Sequence, residues 1–379
     1  MRELLNNRIV KFLWNMAVLL FLLYLFFLSI KLIGVTCKYI GKDIVKEFLS
    51  TTSSPLIGLF VGILATSIAQ SSSFTTSLVV GFVGSGVLPL SFAVPIIMGA
   101  NIGTTVTNTI VAIGQIKWRT EFQRAISAAV VHDFFNILTV LVLLPLELKF
   151  HFLQHIAIWA TGFFEHIGGV KVASPISLWI KPVAKFIKHL VVEGLHLPKF
   201  WSILILFILS IAMLFFALVS IVKFLRSKMI SKVEIWVDRY IFRTGWIAMF
   251  LGFLVTAVVQ SSSITTSLMV PLAGAGLLSL EKVFPFTLGA NVGTTLTALM
   301  ASLVLAGEGQ TIALTAALVH LLFNLFGIFI FYVMPPMRAI PIALAKTFGQ
   351  ACAKKRRYAI IYLVSVFGLL PLMIVLVGR

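Results

Sequence analysis

The chain has 379 residues, of which 60% are hydrophobic and 11% charged, with a formal net charge of +18 and a mean hydropathy of +1.08. A soluble domain carries about 25% charged residues, so the composition excludes an ordinary water-soluble fold and describes an integral membrane protein. The positive excess does not indicate a nucleic-acid binder, because most Lys and Arg fall in short connections beside apolar runs, as the positive-inside rule expects.

Apolar runs follow one another at residues 12–30, 92–114, 125–145, 201–222, 284–306, 312–334 and 358–378, each near the ~20 residues that a bilayer-spanning helix needs. The first run resembles a signal peptide only loosely. It is long, lacks a small-residue cleavage site and has a counterpart later in the chain, so it is read as a mature helix. Cys37 and Cys352 are the two cysteines, too few for a disulfide framework, and no N-x-S/T sequon occurs.

The sequence repeats itself. "QSSSFTTSL" at Gln70 returns as "QSSSITTSL" at Gln260, and "GANIGTTVT" at Gly99 returns as "GANVGTTLT" at Gly289, both at an offset of 190. "AAVVHDFFN" at Ala128 returns as "AALVHLLFN" at Ala316, at an offset of 188. Residues 66–108 and 256–298 share 22 identities in 43 positions, and 16 of these fall on Gln, Ser, Thr, Asn and Gly, which shared hydrophobicity does not produce. The chain therefore divides into a first repeat (1–146), a connector (147–200), a second repeat (201–334) and a basic loop with a closing transmembrane helix (335–379).

Corresponding loops of the two repeats carry opposite charge. "QIKWRTEFQR" holds Lys117, Arg119 and Arg124 against Glu121, whereas the only charge of "AGEGQ" is Glu308. That contrast favours opposite sides of the membrane, hence inverted repeats. The basic stretches 223–243 and 338–357 fit a cytoplasmic side, while 31–46 fits poorly.

A buried hydroxyl without a partner costs roughly 2–7 kcal/mol, so clustered Ser and Thr at membrane depth demand a function. Isolated hydroxyls such as Ser210 and Ser365 are explained by bonding back to their own helix; a duplicated cluster is not. Glycines flank each cluster, and Pro55 and Pro271 add breaks. Each segment reads as two half-helices meeting at an interruption, or as a re-entrant hairpin, which lipid tolerates only in a protein-lined or wet setting. Half-helix N-termini suit an oxyanion, and unwound carbonyls with hydroxyls suit a hard cation. Four such polar interruptions, two Gln-Ser-Ser-Ser and two "GANxGTT", are expected to converge on one site. The expected fold is an all-α polytopic membrane protein of two inverted-topology repeats, whose broken or re-entrant helical hairpins meet at the bilayer midplane, plus a C-terminal helix. These residues by themselves stop at a small ion or polar solute.

The paired Gln-Ser-Ser-Ser motifs, each followed by "GANxGTT", resemble the type II sodium-coupled phosphate cotransporters. "VPIIMGANIGTTVTNTIVAI" and "VHDFFNILTVLVLLPLE" are similar to that family almost word for word, and the similarity covers both halves and the closing helix. The resemblance implies symport of inorganic phosphate with sodium by alternating access, sodium being the coupling ion, with no cofactor and no enzymatic activity, in a multi-pass protein of the cell membrane. It implies phosphate between Ser71, Ser72, Ser73 and Ser261, Ser262, Ser263. It links sodium to Gln70, Gln260, Ser261, Thr294, Thr295, Thr297, Asp133 and Asn136, with Asn101, Thr104 and Asn291 in support. Family members with an acid matching Asp133 are electrogenic and those without it electroneutral.

Asp133 also stands out on its own terms. It is the only acid between Glu121 and Glu147, inside an apolar helix, and its repeat counterpart is Leu321; an intramembrane carboxylate faces a cavity or a partner. The expected partner, if it is structural, is His132 or a nearby Arg. Arg124 is a candidate phosphate contact because guanidinium matches phosphate geometry, while His132 and His320 read as buried, hydrogen-bonded residues. The connector departs from the eukaryotic members, having neither cysteine nor sequon, and its short form resembles a bacterial protein. Within it Ile180, Val183, Ile187 and Leu190 oppose Lys181, Lys185 and Lys188, the pattern of an interfacial amphipathic helix. Rival readings are an intramembrane hydrolase with a Ser nucleophile and His132–Asp133 as base and orienter, a passive anion channel, and a sodium-driven carrier of another oxyanion.

Overall fold

The structure, a computed structural model, describes residues 8–40, 54–168, 175–240, 244–305 and 308–378, and these form helices with no strand among them. A helix satisfies its own backbone polar groups, which lipid cannot do for it. Among the described residues seven helices are long and apolar enough to cross a membrane: Val10–Thr36, Leu90–Ile113, Arg119–Phe150, Lys199–Phe224, Leu280–Ser302, Gly309–Val333 and Arg357–Val377. Each overlaps one of the seven apolar runs.

The first half comprises α1 (Arg8–Ile40), α2 (Pro55–Ala69), α3 (Ser72–Gly84), α4 (Leu90–Gly103), α5 (Val106–Ile113) and the long α6 (Arg119–Phe150). The connector forms α7 (Phe152–Gly168) and α8 (Pro175–His189). The second half follows with α9 (Lys199–Tyr240), α10 (Gly245–Val259), α11 (Ser262–Ser267), α12 (Met269–Gly274), α13 (Leu280–Ser302) and α14 (Glu308–Ile328). Last come α15 (Pro335–Lys354), α16 (Arg357–Val364) and α17 (Leu370–Val377), the latter two joined through a π-helical turn at Ser365–Leu369.

Of the flanking glycines, Gly86 and Gly276 turn the chain left-handed after α3 and α12, at φ 78° and 79°, whereas Gly62 and Gly252 do not act as breakers. They let helices touch backbone to backbone. A Cβ at Gly62 would lie 2.1 Å from the Ile96 carbonyl oxygen, and one at Gly99 would lie 1.9 Å from that of Leu59, so α2 and α4 pack without side chains between them. At the repeat offset, Gly252 meets the Phe286 carbonyl at 2.1 Å and Gly289 that of Met249 at 1.8 Å, which joins α10 to α13 in the same way. Small residues are the usual means of close helix packing in lipid, where apolar burial gives little drive. The halves also meet reciprocally: Gly84 abuts Leu305, and Gly274 abuts Gln115.

One apolar core lies among α1, α3 and α9, around Phe26, Ile30, Val80 and Leu214; another lies among α6, α13 and α15, around Phe122, Phe135, Phe284 and Cys352. Trp14, Phe21, Phe200, Phe216 and Phe250 are exposed, as lipid-facing side chains are in a bilayer protein.

Three expectations need correction. The second "GANxGTT" stretch is not interrupted, since α13 runs unbroken through Gly289–Thr297. Its first copy is interrupted only by a short turn at Thr104 and Thr105, both right-handed in backbone. The Thr294 and Thr295 hydroxyls bond back to the Ala290 and Val292 carbonyls, as those of Thr104 and Thr105 do to the Ala100 and Ile102 carbonyls in the first copy, so these hydroxyls are satisfied by their own helices and do not require a break. The connector and the basic loop hold helices that the sequence reading missed, α7 and α15. And α8 turns Ile180 and Ala184 inward against Leu28 and Leu32 of α1, so its apolar stripe is largely covered by protein, while Leu190 is exposed. Residues 41–46 and 241–243, and the side chains of Cys37, Glu308 and residues 225–240, lie outside the described residues, so part of the loop-charge comparison does too.

Candidate functional site

Each Gln-Ser-Ser-Ser motif folds by one device. Gln70 adopts φ 50°, ψ 30° and Gln260 φ 59°, ψ 25°, the left-handed conformation that ends a helix. Ser71 and Ser261 then reverse to extended backbone, φ −151° with ψ 104° and 105° respectively, and start the next helix. As N-caps, Ser71 Oγ accepts from the Phe74 N–H at 3.2 Å and Ser261 Oγ from the Ile264 N–H at 3.4 Å. The opening amides of a helix have no partner within it. The caps take the amides of Phe74 and Ile264, which leaves those of Ser72 and Ser73, with Ser262 and Ser263 in the second copy, at the breaks. All four of these serines are buried.

The breaks lie together. Ser73 Oγ donates to the Gln260 carbonyl at 3.4 Å, and Ser263 Oγ to the Thr104 carbonyl at 3.4 Å. The threonines of both motifs are instead satisfied by their own helices: Thr76 and Thr266 hydroxyls each donate to the carbonyl four residues earlier at 2.8 Å. Helical back-bonding therefore accounts for the threonines and leaves the serines at the breaks.

The copies differ in their surroundings. Gln260 is half-buried; its Oε1 accepts from Thr297 Oγ1 at 2.7 Å and its amide donates to the Ala257 carbonyl. Gln70 is exposed, and Thr107, the counterpart of Thr297, keeps a buried hydroxyl without a hydrogen-bond partner.

A second cluster crosses between the halves. Asn291 Nδ2 donates to Asn136 Oδ1 at 2.9 Å, and Asn136 Nδ2 to the Asn101 carbonyl at 2.8 Å. Asn324 Nδ2 donates to Asn101 Oδ1 at 3.3 Å, and His320 Nε2 lies at 3.3 Å from the same oxygen. Asn324 and His320, absent from the expected site, belong to this network. Their repetition with Asn136 and His132 was the signal.

Asp133 is fully buried, and its partner is neither His132 nor an arginine. Tyr362 of α16 donates its hydroxyl to Asp133 Oδ2 at 3.0 Å. Sequence reasoning missed Tyr362, which lies outside both repeats. His132 is fully buried, but neither of its ring nitrogens has a hydrogen-bond partner, contrary to the expected hydrogen-bonded histidine, so it makes no bond to the carboxylate and the base and orienter of a hydrolase are not assembled.

Arg124 is not brought to the serines. It is exposed at the start of α6 beside Gly276, where a Cβ would stand 2.4 Å from its Nη1. From Ser262 to Gly274, α11 and α12 together span about 20 Å.

The arrangement offers hydroxyl, amide and carbonyl oxygens with one carboxylate, a set suited to a hard monovalent cation, alongside helix-terminal N–H groups suited to an oxyanion. Among the described residues there is no group of three or more His, Cys, Asp or Glu side chains able to hold a metal ion.

Comparison with known proteins bears on the same residues. Residues 25–155 and 213–372 match the sequence model of a family described as Na+/Pi-cotransporter. Sodium-dependent phosphate transport protein 2B of Homo sapiens is 34% identical over 444 residues, covering 94% of this chain and 64% of its own length, as is that of Pongo abelii. Sodium-dependent phosphate transport protein 2A of Ovis aries is 36% identical over 429 residues, covering 95% of this chain and 67% of its own. The chain thus spans about two thirds of the length of the curated relatives it matches, and no solved structure matches it. With both breaks, the asparagine network, Asp133 and Tyr362 all inside the matched segments, the chain belongs to the Na+/Pi-cotransporter family.

Proposed function

We propose that the protein is a sodium-coupled inorganic phosphate symporter of the cell membrane. The observation that carries this reading is the contact between the two breaks, Ser73 Oγ on the Gln260 carbonyl, which puts two helix N-termini and their serines around one point. Ser71, Ser72, Ser73, Ser261, Ser262 and Ser263 contribute N–H and O–H donors to phosphate, an acceptor-rich dianion or monoanion. Gln260, Ser261 and Thr297 form one oxygen-lined sodium site, with Gln70, Thr294 and Thr295 as further ligands. Asp133 and Asn136 form another, supported by Asn101, Asn291 and Thr104. Arg124 has no part in the site in this conformation.

Coupling follows from neutralisation. A phosphate carried alone across lipid is a bare anion, and sodium ions at adjoining oxygens reduce that charge. With Asp133 ionised, its charge moves with the site, which makes the cycle electrogenic. The halves act as inverted repeats around the midplane, and the exposed Gln70 against the half-buried Gln260 supports alternating exposure of the site.

The test is uptake of radiolabelled phosphate into proteoliposomes under an inward sodium gradient, with potassium or choline as replacement and an inside-negative potential applied to wild type and Asp133→Gly. Sodium-dependent accumulation, raised by the potential only in wild type, is the expected result. Uptake indifferent to sodium in active protein overturns the coupling.

A further inference from the structure

We propose that Tyr362 is a positioning residue for the coupling cation: its hydroxyl, supplied by the closing helix, fixes Asp133 Oδ2 so that Oδ1 faces the ion. The inference deepens the proposed function and rests on its reading of Asp133 as a cation ligand.

A fully buried carboxylate needs hydrogen-bond donors or a counter-charge. Asp133 has a donor on one oxygen only. Tyr362 donates to Oδ2 at 3.0 Å, while Oδ1 is buried with no hydrogen-bond partner. The Thr105 hydroxyl stands beside the carboxyl and donates to the Ile102 carbonyl at 2.8 Å, which leaves its oxygen lone pairs toward the site. A carboxylate held purely for structure would have donors on both oxygens. One satisfied oxygen, one bare oxygen and an adjacent hydroxyl lone pair form the donor set of an oxygen-ligated cation.

Tyr362 is built to stay in place. Its ring lies 4.9 Å from that of Phe348, 5.8 Å edge-on from Phe367 and 6.5 Å from Phe134, centroid to centroid. Immediately beyond it the helix widens into the π-helical turn Ser365–Leu369, which carries Phe367 into the core at 3% exposure. Single π turns recur at functional sites because they re-aim side chains.

The position in the sequence points the same way. The repeat supplies Leu321 where the first half has Asp133, and α16 lies outside the repeat altogether. The added acid is thus met by an added helix.

The experiment compares wild type, Tyr362→Phe, Asp133→Gly and the double variant. It measures the sodium half-saturation of phosphate uptake, the phosphate half-saturation at saturating sodium, and the sodium-dependent shift in thermal unfolding of the purified proteins. Phe keeps the ring packing and removes only the hydroxyl. A hydrogen bond to a charged group is worth enough to raise the sodium half-saturation at least about fivefold in Tyr362→Phe, with the phosphate value changed less than about twofold. In the Asp133→Gly background, loss of the hydroxyl is expected to change nothing further. An equal effect of Tyr362→Phe in both backgrounds makes it a packing residue and overturns the inference. So does an unchanged sodium response in Tyr362→Phe beside a changed one in Asp133→Gly. An Asp133→Gly protein with wild-type sodium half-saturation and thermal shift removes the cation-ligand reading, and the inference with it.

Discussion

Gln70 and Gln260 share a left-handed backbone, φ 50° and 59°, yet only Gln260 has its side-chain amide tied down, by Thr297 and the Ala257 carbonyl. The backbone state is therefore intrinsic to the motif, and the side-chain state depends on which break is covered.

That separation makes Gln70 a clean probe of the backbone. Gln70→Gly is expected to leave thermal stability within about 0.5 kcal/mol of wild type, because glycine enters the left-handed region freely. Gln70→Val is expected to cost about 1–2 kcal/mol, the penalty of placing a Cβ there, aggravated by the branched side chain. Melting monitored by size-exclusion in detergent reports both.

Gly289 and Gly86 make the complementary pair. A Cβ at Gly289 would stand 1.8 Å from the Met249 carbonyl oxygen, whereas at Gly86, with φ 78°, it meets nothing within 4 Å. Gly289→Ala is expected to lose about 3 kcal/mol through overpacking and to yield little monodisperse protein. Gly86→Ala is expected to lose about 1–2 kcal/mol from backbone strain alone and to remain well folded.

The asparagine network predicts a coupling between halves. Asn136 accepts from Asn291 and donates to the Asn101 carbonyl, with all three side chains buried. Asn136→Ala leaves buried groups unpaired and is expected to cost about 1–3 kcal/mol. Asn291→Ala in the same protein is expected to add less than it costs alone, which a double-mutant cycle on thermal unfolding measures.

Cys352 of α15 is fully buried between α6 and its neighbours, and burial pushes its thiol up to about 12. A raised pKa means that the reactive thiolate is scarce throughout the neutral range. In a Cys37→Ser background, maleimide at pH 7.5 is expected to leave native protein unlabelled and to modify one thiol per chain after denaturation, as counted by mass spectrometry.

The spans and the duplication were legible in the sequence because they depend on local composition and on identities between polar residues. The breaks were legible as places, since four polar residues in a row are conspicuous in lipid. The agent was not. The break is made by Gln70 and Gln260 turning left-handed, and glutamine carries no strong preference for that state, so the flanking glycines attracted the assignment. Their role emerges only when Gly62 meets Ile96 and Gly99 meets Leu59, contacts between segments more than thirty residues apart. Asp133 was visible as an anomaly, but its partner stands 229 positions away in a helix with no repeat counterpart to draw attention to it. Arg124 illustrates the opposite error: its chemistry suits phosphate, and helix length keeps it from the serines.

The glycine seams have a mechanical consequence. Where α2 lies on α4 and α10 on α13, carbonyl oxygens sit where side chains would otherwise stand, so neither pair has a compressible layer along which to slide. Each pair is a stiff strut. The struts are linked by the asparagine network, at 2.9 Å from Asn291 to Asn136 and 2.8 Å from Asn136 to Asn101, and through the serines by bonds at the long end of the range, 3.4 Å from Ser73 to Gln260 and 3.4 Å from Ser263 to Thr104. Movement of one strut against the other therefore meets its weaker polar restraint at the serines and its stronger one at the asparagines, with little give inside either strut.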